Sequence, residues 1–454
     1  MPDFDVVVIG GGPGGYAAAL KASERGARVA LVEAEKLGGA CVHHACIPTD
    51  ILLSAAGTYV DARDLDAHGV IGLGETFSFG RAAARKDALV GLMAGNIATA
   101  LRLRGVTVIA GRASFTAPGS IEVATGDGQQ SLSAAAFIIA TGTRWDLPVA
   151  GGFAPDRVVT VDGVQRLPAP PASALVLGGG PSGGAFGLEY AVLLAIAGSE
   201  VTFAAPGAFL PGLDPTIAEP AKGMVSAVGV RIVTGASARE ARPGRALLTH
   251  AGGEDDVPAD LVLAGDLRRP FFASLDLPRA GVAATDRIPV DRLCRTNVDR
   301  IYAVGDVTGG EMLSSVASHM GEVAAVNATG GEAATRLAAI PRLLHTVPEI
   351  GWVGMDEEAA RARGYDVVAG VCDLAFNARA IALGAREGLV KIVAERELGE
   401  VLGVHAAGPG AGEIVAVAAV VMQAEIPVHD VAAMVQWHPS VAEGLVEAAK
   451  RALV

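Results

Sequence analysis

The sequence predicts an α/β protein in which a strand–glycine loop–helix unit occurs twice and a smaller α+β domain follows. Glycine-rich loops at residues 10–15 and 178–183 each follow a short apolar segment. Near the end of the chain, "GLVKIVAE" and "EVLGVHAAG" predict a hairpin, and apolar helical segments come after it. A chain of 454 residues is too long for one hydrophobic core, so several domains are expected.

The first unit contains every part of a dinucleotide-binding motif. The strand "FDVVVI" leads into Gly10, Gly12 and Gly15 at G-x-G-x-x-G spacing, a helix follows, and the next strand, "ARVALVE", ends on Glu33. Such glycines let the backbone approach a pyrophosphate, the helix N-terminus supplies donors, and the acid accepts from a ribose hydroxyl. The first unit is therefore predicted to be a Rossmann-like domain that binds a dinucleotide.

The second unit, with Gly178, Gly180 and Gly183, departs from this pattern. Its second strand, "EVTFAA", ends on Ala205, so no acid is available for a ribose hydroxyl, and no arginine follows to bind a 2′-phosphate. The loop "SGGAFG" is longer than the usual tight turn. Two interpretations stay open: a working nucleotide site, or a Rossmann-like domain that no longer binds its nucleotide well.

Two later segments are predicted to belong to the first domain. "FIIATGT" is a strand that ends at Thr141 and Gly142, and "IYAVGD" is a strand that ends on Asp306. Open α/β sheets bind ligands at the carboxyl ends of their strands. The first domain should therefore resume after the second.

The stretch "GGACVHHACIPTD" places Cys41 and Cys46 five positions apart. On an ideal helix this is a rise of roughly 7.5 Å, whereas a disulfide needs Cα atoms within about 6.8 Å, so pairing requires a distorted helix start. A helix start also favours the reactive thiolate. His43 and His44 raise zinc as an alternative, but four ligands within six residues do not give tetrahedral geometry. No metal is predicted.

A thiol pair that cycles needs a base, and "QWHPSVAEG" offers His438 with Glu443 after it. A carboxylate beside a histidine fixes its tautomer and raises its basicity. Taken alone, such a histidine is more often structural than catalytic.

Seven motifs in order resemble those of the class I pyridine nucleotide-disulfide oxidoreductases, the family of dihydrolipoamide dehydrogenase and glutathione reductase. They are "GGGPGG", "GGACVHHACIP", "IIATGT", "GGGPSGG", "IYAVGD", "LHTVPEIGWVG" and "GVHAAGPGAGE…HPSVAE". The resemblance covers essentially the whole chain. It implies two Rossmann-like domains of FAD and NAD(P) type and a C-terminal α+β dimerisation domain.

The resemblance also implies roles for site residues. FAD would bind at the first glycine loop, with Glu33 at the adenosine ribose and Asp306 at the ribityl chain. Cys41 and Cys46 would form a redox disulfide, in which Cys41 meets the substrate and Cys46 contacts the flavin. The resemblance reverses the interpretation of His438 as structural: held by Glu443, it would be the acid–base that serves the partner subunit of a homodimer.

Several departures from the family fall on one side of the flavin. Asp50 stands where the family has a lysine that pairs with a glutamate, here Glu189, beside the flavin. Two carboxylates there should repel, so one should have a raised pKa or turn away. About four extra residues precede Glu189, Ala185 replaces the family's gating tyrosine, and "LAGDLRRP" is longer than the usual turn.

The predicted domains are an FAD-binding domain of residues 1–148 and 271–338, an NAD(P)-type domain of residues 149–270 and an interface domain of residues 339–454. The departures favour a dithiol–disulfide oxidoreductase that passes electrons from a small or carrier-bound dithiol through Cys41–Cys46 to FAD, then to an acceptor such as oxygen. One alternative is a conventional NAD(P)-dependent dihydrolipoamide dehydrogenase or disulfide reductase. Another is a non-catalytic flavoprotein scaffold or redox sensor.

Charge and composition narrow the partners and the setting. A net charge of −13 argues against nucleic acid or an anionic membrane surface. No apolar segment is long enough to span a bilayer, and the apolar stretch at residues 413–428 is predicted to be a buried helix. Four cysteines in a chain of this length indicate a reducing compartment and hence the cytoplasm.

Overall fold

The computed structural model describes residues 1–63, 76–145, 153, 157–178, 185–265, 268–385 and 387–454. Within these ranges the predicted fold class is confirmed. A mixed sheet, a parallel sheet and a C-terminal antiparallel sheet follow one another, each packed against helices. The domain boundaries stay predictions, and residues 146–152, around the first of them, lie outside the described residues.

The first unit is built around the mixed sheet. Its elements before the second unit are β1 (Phe4–Ile9), α1 (Pro13–Glu24), β2 (Val29–Glu33), α2 (Gly39–His43), α3 (Cys46–Arg63), α4 (Phe79–Leu103), β3 (Thr107–Ala110), β4 (Arg112–Ala117), β5 (Ser120–Thr125), β6 (Gly128–Ile139) and β7 (Thr143–Trp145). The strand order is β3-β2-β1-β6-β5-β4. In β1, Val6, Val7 and Val8 are fully buried, as expected of a strand covered on both faces.

The second unit is an open parallel sheet with a small antiparallel sheet beside it. It contains β8 (Val158–Val159), α5 (Val161–Val164), β9 (Ser173–Leu177), α6 (Ala185–Ile196), β10 (Glu200–Ala205), α7 (Pro215–Ala227), β11 (Val230–Thr234), β12 (Ser237–Arg242), β13 (Arg245–His250), β14 (Gly253–Pro258) and β15 (Leu261–Ala264). The parallel sheet has the order β11-β10-β9-β15-β8. This is the second Rossmann-like sheet that the sequence predicted.

The chain then returns to the first sheet. The returning elements are β16 (Arg268–Pro270), α8 (Leu277–Ala280), β17 (Ile301–Ala303), a 3₁₀ turn (Gly305–Thr308) and α9 (Ser314–Ala328). Strand β17 pairs in parallel with β6, with Ile301 opposite Phe137. Because the two strands run in the same direction, the residues after both of them meet at one edge of the sheet.

The C-terminal unit is an antiparallel sheet covered by helices. It contains β18 (Arg342–Leu344), β19 (Ile350–Gly354), α10 (Glu357–Ala362), β20 (Val367–Asp373), a 3₁₀ turn (Leu374–Phe376), α11 (Ala378–Ala382), β21 (Leu389–Glu395), β22 (Val401–Ala407), α12 (Ala411–Gln423), α13 (Val428–Ala433) and α14 (Glu443–Ala452). The strand order is β18-β19-β22-β21-β20.

The helix α12 corrects one expectation, because it buries only one face. Ile414, Val415 and Val421 are buried, but Val420 is 65% exposed. Further along the chain, Val435 and Trp437 are also exposed. Apolar side chains left exposed in this way are typical of a surface that another protein chain covers.

A buried ionic cluster joins the second unit to the C-terminal unit. The Lys391 ammonium lies 2.9 Å from an Asp214 carboxylate oxygen and 2.7 Å from one of Glu357. The Lys391 and Asp214 side chains are almost fully buried. Burial raises the pKa of Asp214, but hydrogen bonds from Lys391 and from backbone amides outweigh it and bring the pKa below its ordinary value. The Asp214 carboxylate therefore stays charged at neutral pH, and its contacts join the two units.

Candidate active site

The first glycine loop is shaped for close approach to a ligand. Gly10 has a φ of 106°, and a Cβ there would lie 2.3 Å from the carbonyl oxygen of Ala140. A Cβ on Gly15 would lie 1.8 Å from the oxygen of Gly10, so a larger residue at either position would displace the backbone. A Glu33 carboxylate oxygen accepts from the Gly11 amide at 2.5 Å, which holds the acid beside the loop.

A cavity of about 730 Å³ opens from this loop. It is lined by most of the residues that the sequence assigned to FAD and to the dithiol: Gly10, Gly12, Glu33, Cys41, Cys46, Thr141, Gly142 and Asp306. His43 and His44 line it too, and His43 Nε2 donates to the Leu37 carbonyl at 2.8 Å. A long cavity with a glycine loop, backbone donors at a helix start and an acid at the end of β2 fits a dinucleotide such as FAD.

The residues that follow β6 and β17 meet at the cavity as the topology requires. Thr141 donates through Oγ1 to the Phe271 carbonyl at 2.5 Å. Asp306, in the turn after β17, lies 3.3 Å from a guanidinium nitrogen of Arg268 and 3.4 Å from the Thr143 hydroxyl. These contacts join the two halves of the first unit across the cavity.

The two cysteines lie on two separate helices and not on one distorted helix. Cys41 is in α2, Cys46 begins α3, and the chain breaks between them at His44 and Ala45. Gly38 makes the tight entry to α2: its φ is 102°, and a Cβ added there would lie only 2.7 Å from the Val42 side chain. This break accounts for how residues five apart come together. Both are free, partly buried thiols in this structure.

The environment of the thiols separates their pKa values. A hydrogen bond between the two thiols lowers the pKa of Cys46, and burial opposes it, while the Ser314 hydroxyl and the Arg268 charge lower it further. The same hydrogen bond, together with burial, raises the pKa of Cys41. When one of the two thiols ionises, the negative charge therefore lies on Cys46, and Cys41 keeps its proton.

His438 and Glu443 form the predicted pair on the C-terminal unit. His438 Nδ1 lies 2.9 Å from a Glu443 carboxylate oxygen, and the other carboxylate oxygen accepts from the Ser440 amide at 2.8 Å. The Ser440 amide and His438 together lower the pKa of Glu443, so it stays a carboxylate that orients the imidazole. The His438 side chain is 71% exposed, and it is not among the described residues that line the cavity.

Asp50 and Glu189 have different environments. The Asp50 side chain is about half exposed, and its carboxylate lies 3.5 Å from His345 Nδ1. Glu189 is buried and accepts from the His345 amide at 2.8 Å. Burial raises the pKa of Glu189 to about 8, and the charges of Cys46 and Asp50 add to this effect. At neutral pH Glu189 is therefore largely a neutral acid.

Most of the second glycine loop lies outside the described residues. Gly178 follows β9, and a Cβ there would lie 2.6 Å from the Phe203 ring. Gly180 and Gly183 lie outside the described residues, as do residues 266 and 267 of the "LAGDLRRP" turn. Ala205 ends β10 and is buried, and Ala185 begins α6. The described part of this unit thus has an apolar residue at the end of its second strand.

Sequence reasoning missed a buried polar network between α3 and α6. The Tyr190 hydroxyl accepts from Thr49 Oγ1 at 3.1 Å and from Gln165 Nε2 at 2.6 Å. Gln165 also donates to the His44 carbonyl at 2.9 Å. The network fixes the cysteine segment against the second unit, and no motif signals it because its members come from three separate segments.

Sequence reasoning also missed the surroundings of Arg268. Its guanidinium carbon lies 5.0 Å from the centre of the Phe186 ring and 5.9 Å from that of Trp145, and all three residues line the cavity. Arginine over an aromatic face is a favourable arrangement. The "RRP" of residues 268–270 was the available signal, but it did not reveal these neighbours.

Two further observations bear on the kind of site. Within the described ranges, no group of three or more histidine, cysteine or acidic side chains is arranged to hold a metal ion. None of the described helices combines the length and the apolar character needed to cross a membrane.

Together, the fold, the cavity and the thiol pair beside it define a flavin-dependent disulfide oxidoreductase. The model of the pyridine nucleotide-disulphide oxidoreductases matches residues 4–321, and that of their dimerisation domain matches residues 340–449. This chain belongs to the pyridine nucleotide-disulphide oxidoreductase family, whose cofactor is FAD and whose members are enzymes. The predicted family, the enzyme class and the FAD cofactor are confirmed.

Individual relatives agree with this assignment. The chain is 33% identical to a dihydrolipoyl dehydrogenase of Geobacillus stearothermophilus, over 99% of this chain and 96% of that protein. A dihydrolipoyl dehydrogenase of Thermus scotoductus is 34% identical over 99% of this chain and 97% of its own length.

Solved structures are similar over nearly the whole chain. LpdA of Mycobacterium tuberculosis has a TM-score of 0.88 at 29% identity and is covered to 99%, with 98% of this chain aligned. The HOCl-induced flavoprotein disulfide reductase RclA of Escherichia coli has a TM-score of 0.85 at 26% identity, with 98% of this chain and 99% of that chain aligned. The match to the dimerisation domain supports a homodimer.

Proposed function

We propose that this enzyme oxidises a dithiol, small or carried on a protein, through the Cys41–Cys46 pair. The observation that carries the proposal is the pair of thiols itself: Cys41 on α2 and Cys46 at the start of α3 both line the cavity that fits FAD. In the oxidised enzyme, in which Cys41 and Cys46 form a disulfide, a substrate thiolate attacks Cys41, the Cys41–Cys46 bond breaks and Cys46 leaves as a thiolate. The second substrate thiol then displaces Cys41 and forms the substrate disulfide. When bound, FAD would supply a two-electron carrier next to Cys46.

In this proposal the substrate thiol is deprotonated by His438 of a second copy of the chain. The exposed imidazole, oriented by Glu443, supports this role, as does the dimerisation domain that bears it. The exposed Trp437 beside it fits a position that a partner subunit covers. A base held near its substrate by a carboxylate is suited to proton transfer near neutral pH.

We propose further that the electron acceptor need not be NAD(P) and that oxygen is a candidate. The support lies around Glu189 of the second unit: Glu189 is buried and largely neutral, and the nearby Asp50 of α3 lies 3.5 Å from His345. No lysine is available at position 50 to place a positive charge there, and β10 ends on Ala205. Each of these features weakens the binding or the reaction of a nicotinamide nucleotide.

The second candidate is a conventional NAD(P)-dependent dihydrolipoyl dehydrogenase. The relatives named above favour it, since curated proteins of that name align with 99% of this chain. This enzyme would share the dithiol chemistry and differ only in its acceptor.

Turnover with dihydrolipoamide tests both candidates. The purified FAD-loaded enzyme is assayed with NAD⁺, NADP⁺ or oxygen as the sole acceptor, and Cys46→Ser serves as the inactive control. Oxidation with oxygen and none with either nucleotide is the expected result. Turnover with NAD⁺ or NADP⁺ alone would support the second candidate. No oxidation of the dithiol with any acceptor, while FAD is bound, would reject dithiol oxidation itself.

A further inference from the structure

Ser314 lies next to the thiol pair although it is far from it in the chain. The Cys46 thiol donates to its Oγ at 3.7 Å, within hydrogen-bond range for sulfur and across 268 positions of sequence, and on ionisation of the thiol this direction reverses. The residue begins α9 and lines the cavity. We propose that Ser314 is a positioning residue of the dithiol: its hydroxyl donates to the Cys46 thiolate and keeps the negative charge of the reduced pair on that sulfur. The inference rests on the proposed dithiol chemistry.

The helix that presents Ser314 is held firmly in place. A Cβ on Gly321, in α9, would lie 2.2 Å from the Gly14 carbonyl oxygen of α1, so the two helices pack at the closest distance that glycine permits. Gly14 is also close to Ala317. Because α9 has fifteen residues and begins at Ser314, its N-terminal amides add a partial positive charge near the thiolate. A hydroxyl fixed in this way loses little entropy when it donates a hydrogen bond.

The other charged and titratable groups around Cys46 act in both directions. The Cys41 thiol and the Arg268 guanidinium favour the Cys46 thiolate, and Ser314 acts with them. Burial, together with the charge of Cys46, raises the pKa of Glu189 and of Tyr16, so both are largely neutral beside the thiolate. The hydrogen bond with Cys46, burial and, least, the charge of Asp306 raise the pKa of Cys41; they outweigh a hydrogen bond from Ser314 that lowers it, so this thiol stays protonated. Ser314 is an uncharged donor, so its removal changes no formal charge.

The hydrogen bond has a defined place in the exchange reaction. When a substrate thiolate attacks Cys41 Sγ, a bond forms to that sulfur, the Cys41–Cys46 bond breaks, and its electron pair leaves on Cys46. A leaving thiolate with a lower pKa departs faster. After the second substrate thiol has displaced Cys41, this sulfur takes up a proton and Cys46 stays ionised. Ser314 therefore acts on the sulfur that leaves, whereas His438 acts on the thiol that attacks.

Replacement of the hydroxyl tests the inference spectroscopically. The FAD-loaded enzyme is reduced anaerobically with dihydrolipoamide, and the long-wavelength thiolate–flavin absorbance is titrated with pH. The midpoint should rise by about one pH unit in Ser314→Ala and stay near the original value in Ser314→Thr, which keeps the hydroxyl. Ser315→Ala is the matched control, because Ser315 is the next residue of α9 and is exposed. It should leave the midpoint unchanged.

The outcomes separate this inference from the proposed function. An absorbance band that forms in Ser314→Ala with an unshifted midpoint overturns the role of Ser314 and leaves dithiol oxidation intact. A wild-type enzyme that the dithiol does not reduce overturns the proposed function. If Ser314→Ala does not retain FAD, Ser314→Val replaces it, since valine matches threonine in shape without the hydroxyl. A second readout is the pH dependence of alkylation by iodoacetamide, with the modified cysteine identified by mass spectrometry. In Ser314→Ala and in Ser314→Val, the alkylation profile of Cys46 must shift to higher pH, as the absorbance midpoint does.

Discussion

The dithiol region and the second nucleotide unit differ in how their charges are compensated. Around Cys46, a thiol, a hydroxyl and a guanidinium lower the pKa of the sulfur that carries charge. Around Glu189, burial raises the pKa of the carboxyl, and the neighbouring Asp50 adds negative charge where a cation would relieve it. The first region is arranged to hold an anion, and the second is arranged to avoid one. Electron entry from a dithiol is therefore better supported by this chain than exchange with a nicotinamide.

Substitution of His438 should produce the largest effect on the dithiol side. His438→Gln removes the base and should slow reduction by dihydrolipoamide by about 10²- to 10⁴-fold. Reduction by dithionite, which needs no proton transfer from a thiol, should be unaffected. His429→Gln is a suitable control, because His429 is another exposed histidine beside a carboxylate. Equal rates for His438→Gln and wild type would show that His438 is not the base.

Substitution of Glu189 tests the second region through stability. Its carboxyl is protonated in the folded protein up to about pH 8, whereas its ordinary pKa is 4.5. Between these values the folded state binds the extra proton, so stability falls as pH rises, by up to roughly 1.4 kcal/mol per pH unit. Glu189→Gln should remove this slope.

The stability of Glu189→Gln is measured as Tm from pH 5 to pH 8.5 in excess FAD. The Tm of the variant should rise relative to that of wild type as the pH increases. Glu200→Gln is the control, because Glu200 on β10 is exposed. Parallel Tm profiles for Glu189→Gln and wild type would mean that Glu189 is ionised in the folded protein and that the contrast between the two regions is wrong.

Substitution of Asp50 should have the smallest effect. Asp50→Lys supplies a cation that can pair with Glu189, lower its pKa and raise any residual flavin reduction by NADH or NADPH severalfold. Asp50→Asn removes the negative charge without adding a positive one and should give a smaller increase. The measurement is the stopped-flow rate of flavin reduction by NADH and NADPH in both variants. If neither variant is reduced faster than wild type, Asp50 does not limit the nicotinamide reaction.

The sequence predicted those parts of the fold and the site that depend on local pattern. The glycine loop, Glu33 and the carboxyl ends of β6 and β17 were recognisable because each is a short segment with a fixed spacing. The same holds for the cysteine pair and for His438 with Glu443, which are close in the chain.

The features that could not be predicted from the sequence come from contacts between distant segments. Ser314 reaches Cys46 across 268 positions, and His345 meets Asp50 across a similar separation. The ionic cluster likewise joins Lys391 to Asp214 and Glu357, which come from separate segments of the chain. The raised pKa of Glu189 depends mainly on burial. The sequence indicated it only through Asp50, which stands where the family has a lysine.

The most direct measurement is anaerobic stopped-flow mixing of the oxidised, FAD-loaded enzyme with NADH, NADPH or dihydrolipoamide in separate experiments. Flavin absorbance and the long-wavelength thiolate–flavin band are followed together. We predict fast reduction by the dithiol, with growth of the long-wavelength band, and no comparable reduction by either nucleotide. Fast reduction by NADH or NADPH would contradict it, and would show that the second unit is a working nucleotide site despite Asp50 and Ala205.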